Sequence, residues 1–219
     1  LCDTLFPYTT LFRSGTMNFE IIDNLFQVTV LACAVLVAVV HLFRHKDRRC
    51  LILALAYACF FMGTLYYVLH LAITGDTPRV FYVAEISWIA SWFFFLSLQI
   101  MRTEGMKLCV LPVPAVCAGL IAASILIFRF MASYLVSGLF AVPVSAVAYL
   151  SLFRLQRGTA HRRTDVCFAV CTALQVGLFF VSAFMEDFTR FNLYFAVDIM
   201  LTLSLVALLI LNLREVAEK

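Results

Sequence analysis

The sequence predicts an all-α fold, a bundle of seven membrane-spanning helices, and two observations carry that reading. Of its 219 residues, 64% are apolar and only 13% charged, against about half and about a quarter in an ordinary soluble domain. The apolar residues also fall in runs of about 20, the length a helix needs to cross a hydrocarbon core of about 30 Å. With a mean hydropathy of +1.00, the expected surrounding is the lipid bilayer. This composition excludes a nucleic-acid-binding domain despite a formal charge of +3, and a secreted disulfide scaffold despite eight Cys. It also leaves no room for a sizeable water-soluble catalytic domain.

The expected spans are Leu25–Phe43, Cys50–Ile73, Val80–Met101, Leu108–Phe128, Phe130–Phe153, Val166–Met185 and Phe191–Leu213. In lipid a backbone must satisfy its own polar groups as a helix or in a closed barrel, and these runs are continuous rather than alternating, so helices are expected. The basic loop RHKDRR parts the first two spans, and Asp76-Thr77-Pro78-Arg79 parts the second from the third. Pro112 and Pro114 fall in the fourth span and Pro143 in the fifth. Between the fourth and fifth only Arg129 and Ser133 interrupt the apolar stretch, so charge has to decide that boundary.

Seven spans place Arg44, Lys46, Arg48, Arg49, Arg102, Lys107, Arg154, Arg157, Arg162, Arg163, Arg214 and Lys219 on one side, and only Arg79, Arg129 and Arg190 on the other. Basic residues mark the cytoplasmic face, so the expectation is a multi-pass protein of the bacterial inner membrane with its amino terminus outside and carboxy terminus inside. Merging the fourth and fifth spans would move the basic loop RLQRGTAHRR outside. The basic loops are read as setting topology rather than as lipid or regulatory sites.

Thr4–Ser14, TLFPYTTLFRS, resembles the conceptual translation of a sequencing-library adapter. Residues 1–16 are therefore expected to be a non-native or disordered segment, with the native chain starting at Met17 and residues 17–219 forming the membrane domain. An internal duplication is also suggested. Leu42-Phe43-Arg44 followed by Arg48-Arg49-Cys50 parallels Leu152-Phe153-Arg154 followed by Arg162-Arg163 and Cys167. Asp76-Thr77-Pro78-Arg79 with Tyr82 and Glu85 parallels Asp187-Phe188-Thr189-Arg190 with Tyr194 and Asp198. The result would be a 3+1+3 parallel repeat, an arrangement found in some transporters.

Within those spans Glu85 and Asp198 are the only Asp, Glu, Lys or Arg. An ionised carboxylate near mid-membrane costs about 2.5–3.5 kcal/mol on insertion scales, so it is rarely left facing lipid. At 1.5 Å per residue Glu85 lies roughly 7 Å, Asp198 roughly 10 Å and His70 roughly 5 Å from the outer ends of their helices. Tyr82, Glu85, Trp88 and Trp92 form one helical stripe, and Tyr194, Asp198 and Thr202 another. Together these eight residues define an expected ligand- or proton-binding site, an aromatic-walled and partly polar cavity opening outward. Packing, interfacial aromatics and interhelical hydrogen bonds would produce much of the same pattern.

No metal or cofactor is expected. His41 and His45 stand one turn apart but lack further ligands, as do Cys167 and Cys171. No HExxH, GxSxG or phosphate-binding glycine loop supplies a catalytic apparatus, so the chain is read as non-enzymatic. Cys33, Cys59, Cys117 and Cys171 fall inside spans, where thiols pack as small apolar groups, and no disulfide is expected.

Seven spans with this orientation resemble the opsin and receptor-like group, and in particular the seven-helix sensory regions that precede histidine kinases in bacteria. The resemblance is architectural. Retinal attachment needs a Lys on the seventh helix; Thr202 stands one turn beyond Asp198, and the lysines Lys46, Lys107 and Lys219 lie outside the spans. The resemblance implies a sensor of a small ligand or proton that signals to a cytoplasmic partner, either a separate protein or a domain lost by truncation. The alternatives are a small-solute transporter, proton-coupled in one version, and a structural subunit of a membrane complex.

Overall fold

Long apolar runs leave the backbone no solvent to bond, and the chain forms helices throughout. A computed structural model describes residues 19–74, 82–107, 109–128, 133–184 and 190–218. Its helices are α1 (Phe19–His45), α2 (Arg48–Thr74), α3 (Tyr82–Thr103), α4 (Pro112–Phe128), α5 (Tyr134–Arg157), α6 (Arg162–Phe184) and α7 (Leu193–Ala217). Six are long and apolar enough to cross a membrane, whereas α4, with 17 residues, is shorter. Among the described residues there is no strand. The adapter-like segment lies outside the described residues.

Local chemistry sets the helix ends. Lys46 adopts a left-handed φ of 52°, and the Asp47 carboxylate accepts from the Arg49 amide at 2.7 Å, so two residues suffice to reverse the chain between α1 and α2. Pro112 opens α4, where its missing N–H has no helical partner to lose. Ser133 caps α5 by accepting from the Val136 amide, and Gly158, with φ 68°, ends it in the left-handed conformation. Asn192 caps α7 through the Tyr194 and Phe195 amides.

Six helices extend past the expected spans into charged sequence, α2 by taking in Arg48 and Arg49. α1 begins at Phe19 rather than Leu25 and so contains Glu20 and Asp23. α3 and α5 run on through Arg102 and Arg154, α6 begins early enough to include Asp165, and α7 reaches Glu215. A run of apolar residues locates the membrane core, but the helix continues wherever neighbours bury its polar ends.

Contacts arrange six helices in a closed ring, α1–α2–α3–α5–α6–α7 and back to α1, with α4 outside it against α5. Phe128 of α4 also meets Phe180 of α6, ring centroids 5.1 Å apart. Neighbours joined by short connections run antiparallel. Two seams are parallel. Along α1/α7, Phe19 packs on Phe195 and Gln27 reaches Thr202; along α3/α5, Gln99 bonds Ser151 and the Arg102 carbonyl accepts from Arg154. The ring is filled rather than hollow: Tyr57, Trp92, Phe95 and Phe168 are fully buried and interlock edge to face, and the Tyr57 hydroxyl bonds the Leu205 carbonyl at 2.5 Å. Large apolar side chains such as Leu36, Ile86, Leu120 and Leu203 face outward, as a lipid-facing surface allows.

Candidate functional site

Two buried polar assemblies lie at opposite ends of the bundle, one around Asp198 and one around Arg102. At the Asp198 end, α1 turns one stripe inward, Asp23, Gln27, Leu31, Ala34 and Ala38, at the three- and four-residue steps of a helix face. The Gln27 amide donates to Asp198 Oδ1 at 3.0 Å and to Thr202 Oγ1 at 3.2 Å. Its carbonyl oxygen accepts from Thr64 Oγ1 at 3.1 Å, and Trp88 Nε1 donates to Thr64 Oγ1 at 3.4 Å. One glutamine thus links α7 through α1 and α2 to α3. The Asp23 and Asp198 carboxyls lie close enough to interact. A hydrogen bond between two carboxyls needs a proton on one of them. Among the described residues no cation pairs with either acid. Nearer the helix ends, the Tyr67 hydroxyl donates to Glu20 Oε1 at 2.6 Å.

The structure brings Asp198, Thr202 and Trp88 into this one network. Glu85 is buried on α3, one turn from Trp88. Trp92 is also buried, one turn further into the core. His70 is half-buried beside Tyr66, and Tyr194 packs its ring on Phe195. Tyr82 opens α3, but its side chain lies outside the described residues. The expectation that Glu85 and Asp198 are the only ionisable groups within the spans is corrected. Asp23 sits inside α1, 3% exposed, because a span drawn from the first uninterrupted apolar run started past it. Asp23 and Gln27 stand one turn apart in line with three apolar residues, a periodic signal already present in the sequence. Thr64, on a helix face otherwise apolar, carried no comparable signal.

Several polar atoms in this half of the bundle are enclosed without a hydrogen-bond partner: Asp23 Oδ2, Ser91 Oγ, Trp92 Nε1 and Gln175 Oε1. Such atoms are uncommon, since the great majority of buried polar groups are paired. The antiparallel register of α3 and α6, set by Arg102 with Asp165 and Phe95 with Phe168, puts Gln175 level with the stretch from Trp88 to Trp92. Ser91, Trp92 and Gln175 therefore share one layer of the interior. This layer holds hydrogen-bonding groups that the described side chains leave unused.

The Arg102 end is differently built. The Arg102 guanidinium, 6% exposed, donates to Asp165 Oδ1 at 2.7 Å and grips Glu215 with two bonds, at 2.8 and 3.3 Å. Arg154, 4% exposed, donates to the same Asp165 oxygen at 2.8 Å and to the Arg102 carbonyl. Thr159 closes on Asp165 Oδ2 at 2.5 Å, and Arg102 also reaches Gln99, which donates to Ser151 at 3.0 Å. Two cations and two anions balance, tying α3, α5, α6 and α7. Reading Arg102 and Arg154 purely as topology-setting loop residues missed this, since their partners lie 63 and 11 residues away for Asp165 and 113 for Glu215. A cleft of about 730 Å³ lies just outside this quartet, between the start of α6 and the end of α7.

Among the described residues no three His, Cys, Asp or Glu side chains converge as metal ligands; His41 and His45 stack with ring centroids 5.5 Å apart. Comparison with protein-family models, with curated proteins and with solved structures finds no match.

Proposed function

We propose that the chain is a non-enzymatic, receptor-like sensor of the bacterial inner membrane, amino terminus outside, responding to a small ligand or a proton in the outer half of its bundle. One observation carries this reading: the Asp23–Asp198 carboxyl pair is buried with no cation paired to it among the described residues, and is linked through Gln27 and Thr64 across four helices. Acids inside a membrane bundle are costly and tend to mark sites where charge changes. Removing a proton held between them, or replacing it with a ligand's donor, alters a contact that joins α1 to α7. α7 carries Asp198 at one end and Glu215 at the other, and α3 likewise carries Trp88 and Arg102. A shift at the acid pair therefore reaches the quartet along rigid elements, and from there a cytoplasmic partner. Coupling of this kind needs a two-state element biased at both ends.

The chain's two tryptophans, Trp88 and Trp92, both lie in the polar layer, so their emission reports on it directly. The full chain in lipid nanodiscs is expected to show a reversible pH-dependent shift in that emission, lost in Asp23→Asn and Asp198→Asn. Variants that titrate like the wild type would end the proposal.

A small-solute transporter is the second reading, favoured by the ring, in which α1–α3 and α5–α7 form two consecutive triplets of matching direction with α4 outside. A parallel repeat would have this form. Proteoliposomes loaded with a pH-sensitive dye separate the two: a proton-coupled transporter speeds the decay of an imposed pH gradient, and a sensor does not.

A further inference from the structure

We propose that the cleft between the start of α6 and the end of α7 is a binding site for the headgroup of an anionic phospholipid. It is lined by His161, Arg162, Arg163 and Arg214, with Glu218 on its rim. Among the described residues the guanidinium groups of Arg162, Arg163 and Arg214 form no ion pair. Arg102 and Arg154 beside them are fully engaged with Asp165 and Glu215. Glu215, which also lines the cleft, is already neutralised by its two-bond grip on Arg102. The cleft is therefore strongly cationic, with Glu218 its one unpaired acid.

Its position selects a lipid. The cleft stands at the ends of two membrane-crossing helices, the level at which headgroups lie. Its floor is apolar, with Val166 and Leu211 among the lining residues. From there an exposed apolar track continues toward the middle of the bundle, along Val170 on α6 and along Ala207 and Leu203 on α7. Three guanidinium groups above such a track match a phosphate diester with acyl chains beneath it, since planar guanidinium suits phosphate oxygens and basic pockets between helices take anionic headgroups. Glu215 forms part of the wall, so an occupied cleft presses on the back of the Arg102 quartet.

The test uses the full detergent-solubilised chain and native mass spectrometry, with dioleoyl phosphatidylglycerol or dioleoyl phosphatidylcholine added. Phosphatidylglycerol is expected to bind the wild type preferentially. The Arg163→Gln/Arg214→Gln variant should weaken it by about thirty-fold, from roughly five-fold per basic residue. Arg44→Gln/Lys46→Gln, an equal change of charge at the α1–α2 turn, should change it less than two-fold. Arg163→Lys/Arg214→Lys, with an unchanged melting temperature, should retain most binding and separates lost contacts from misfolding. Equal binding of the two lipids, equal loss in the two neutralised variants, or displacement by inorganic phosphate would each overturn the assignment.

Discussion

The two polar assemblies occupy comparable places, each buried and each on a seam between parallel helices, yet their chemistry is opposite. Around Arg102, two arginines and two acids cancel, and hydrogen bonds use their donors and acceptors. Around Asp198, two acids meet with no cation among the described residues, and enclosed polar atoms remain unused. A balanced cluster loses stability whenever one member changes, because each charge was desolvated in reliance on the others. An acid pair that shares a proton has a second state within reach. The first arrangement suits a fixed joint and the second a responsive one.

Substitutions can break this contrast. The largest effect is expected from Arg102→Ala, which takes both guanidinium bonds from Glu215 and leaves Asp165 to Arg154 and Thr159; it should cost about 3–5 kcal/mol, read by reversible unfolding in mixed micelles. Replacing the quartet together by apolar residues of similar volume should cost far less, because no charge is left uncompensated. Should the fourfold variant prove as unstable as the single one, the joint does more than hold helices.

Next comes Gln27→Leu, expected to cost about 1–3 kcal/mol because Thr64, Thr202 and Asp198 all lose their shared partner. The same unfolding measurement reads it, and no loss would mean that the links across four helices are incidental. Gly63→Ala should cost about 1–3 kcal/mol: a β-carbon there would stand 2.8 Å from Trp88 Cδ1 and Nε1 and 3.1 Å from the Ala84 carbonyl oxygen. Its signature is a shift in tryptophan emission as Trp88 leaves Thr64, and an unchanged spectrum would show that α2 and α3 simply part. The smallest effect belongs to Asp198→Asn, below about 1 kcal/mol, since Asn still accepts from Gln27 and bonds Asp23 without needing a shared proton. A loss as large as that of Arg102→Ala would erase the distinction between the two regions.

The helices were legible because apolar run length reports membrane crossing directly. Their ends were not, and most of the site depends on the ends. Glu20 and Asp23 look like flanking loop to a hydropathy window, as do Arg102, Arg154, Asp165 and Glu215. Most of these charges meet a partner on a helix distant in the sequence, and spacing along the sequence does not disclose such pairing. Asp198, Thr202 and Trp88, read from the sequence as members of two helical stripes, stand in one hydrogen-bond network. The residues joining those stripes were not found: Gln27 had a periodic signal in α1 that went unread, and Thr64 had none.

One further consequence follows from the two parallel seams. Aligned peptide dipoles leave a helix with partial positive charge at its start and partial negative charge at its finish, about half an elementary charge each. Along α1/α7 two starts come together, and along α3/α5 two finishes do. Each seam by itself is repulsive. Side chains in the terminal turns carry the compensating sign: Glu20 where α1 begins, Arg102 and Arg154 where α3 and α5 end. Glu20 at one seam and the two arginines at the other are thus charges that this order of helices favours, and reversing a single member of either seam would remove that advantage.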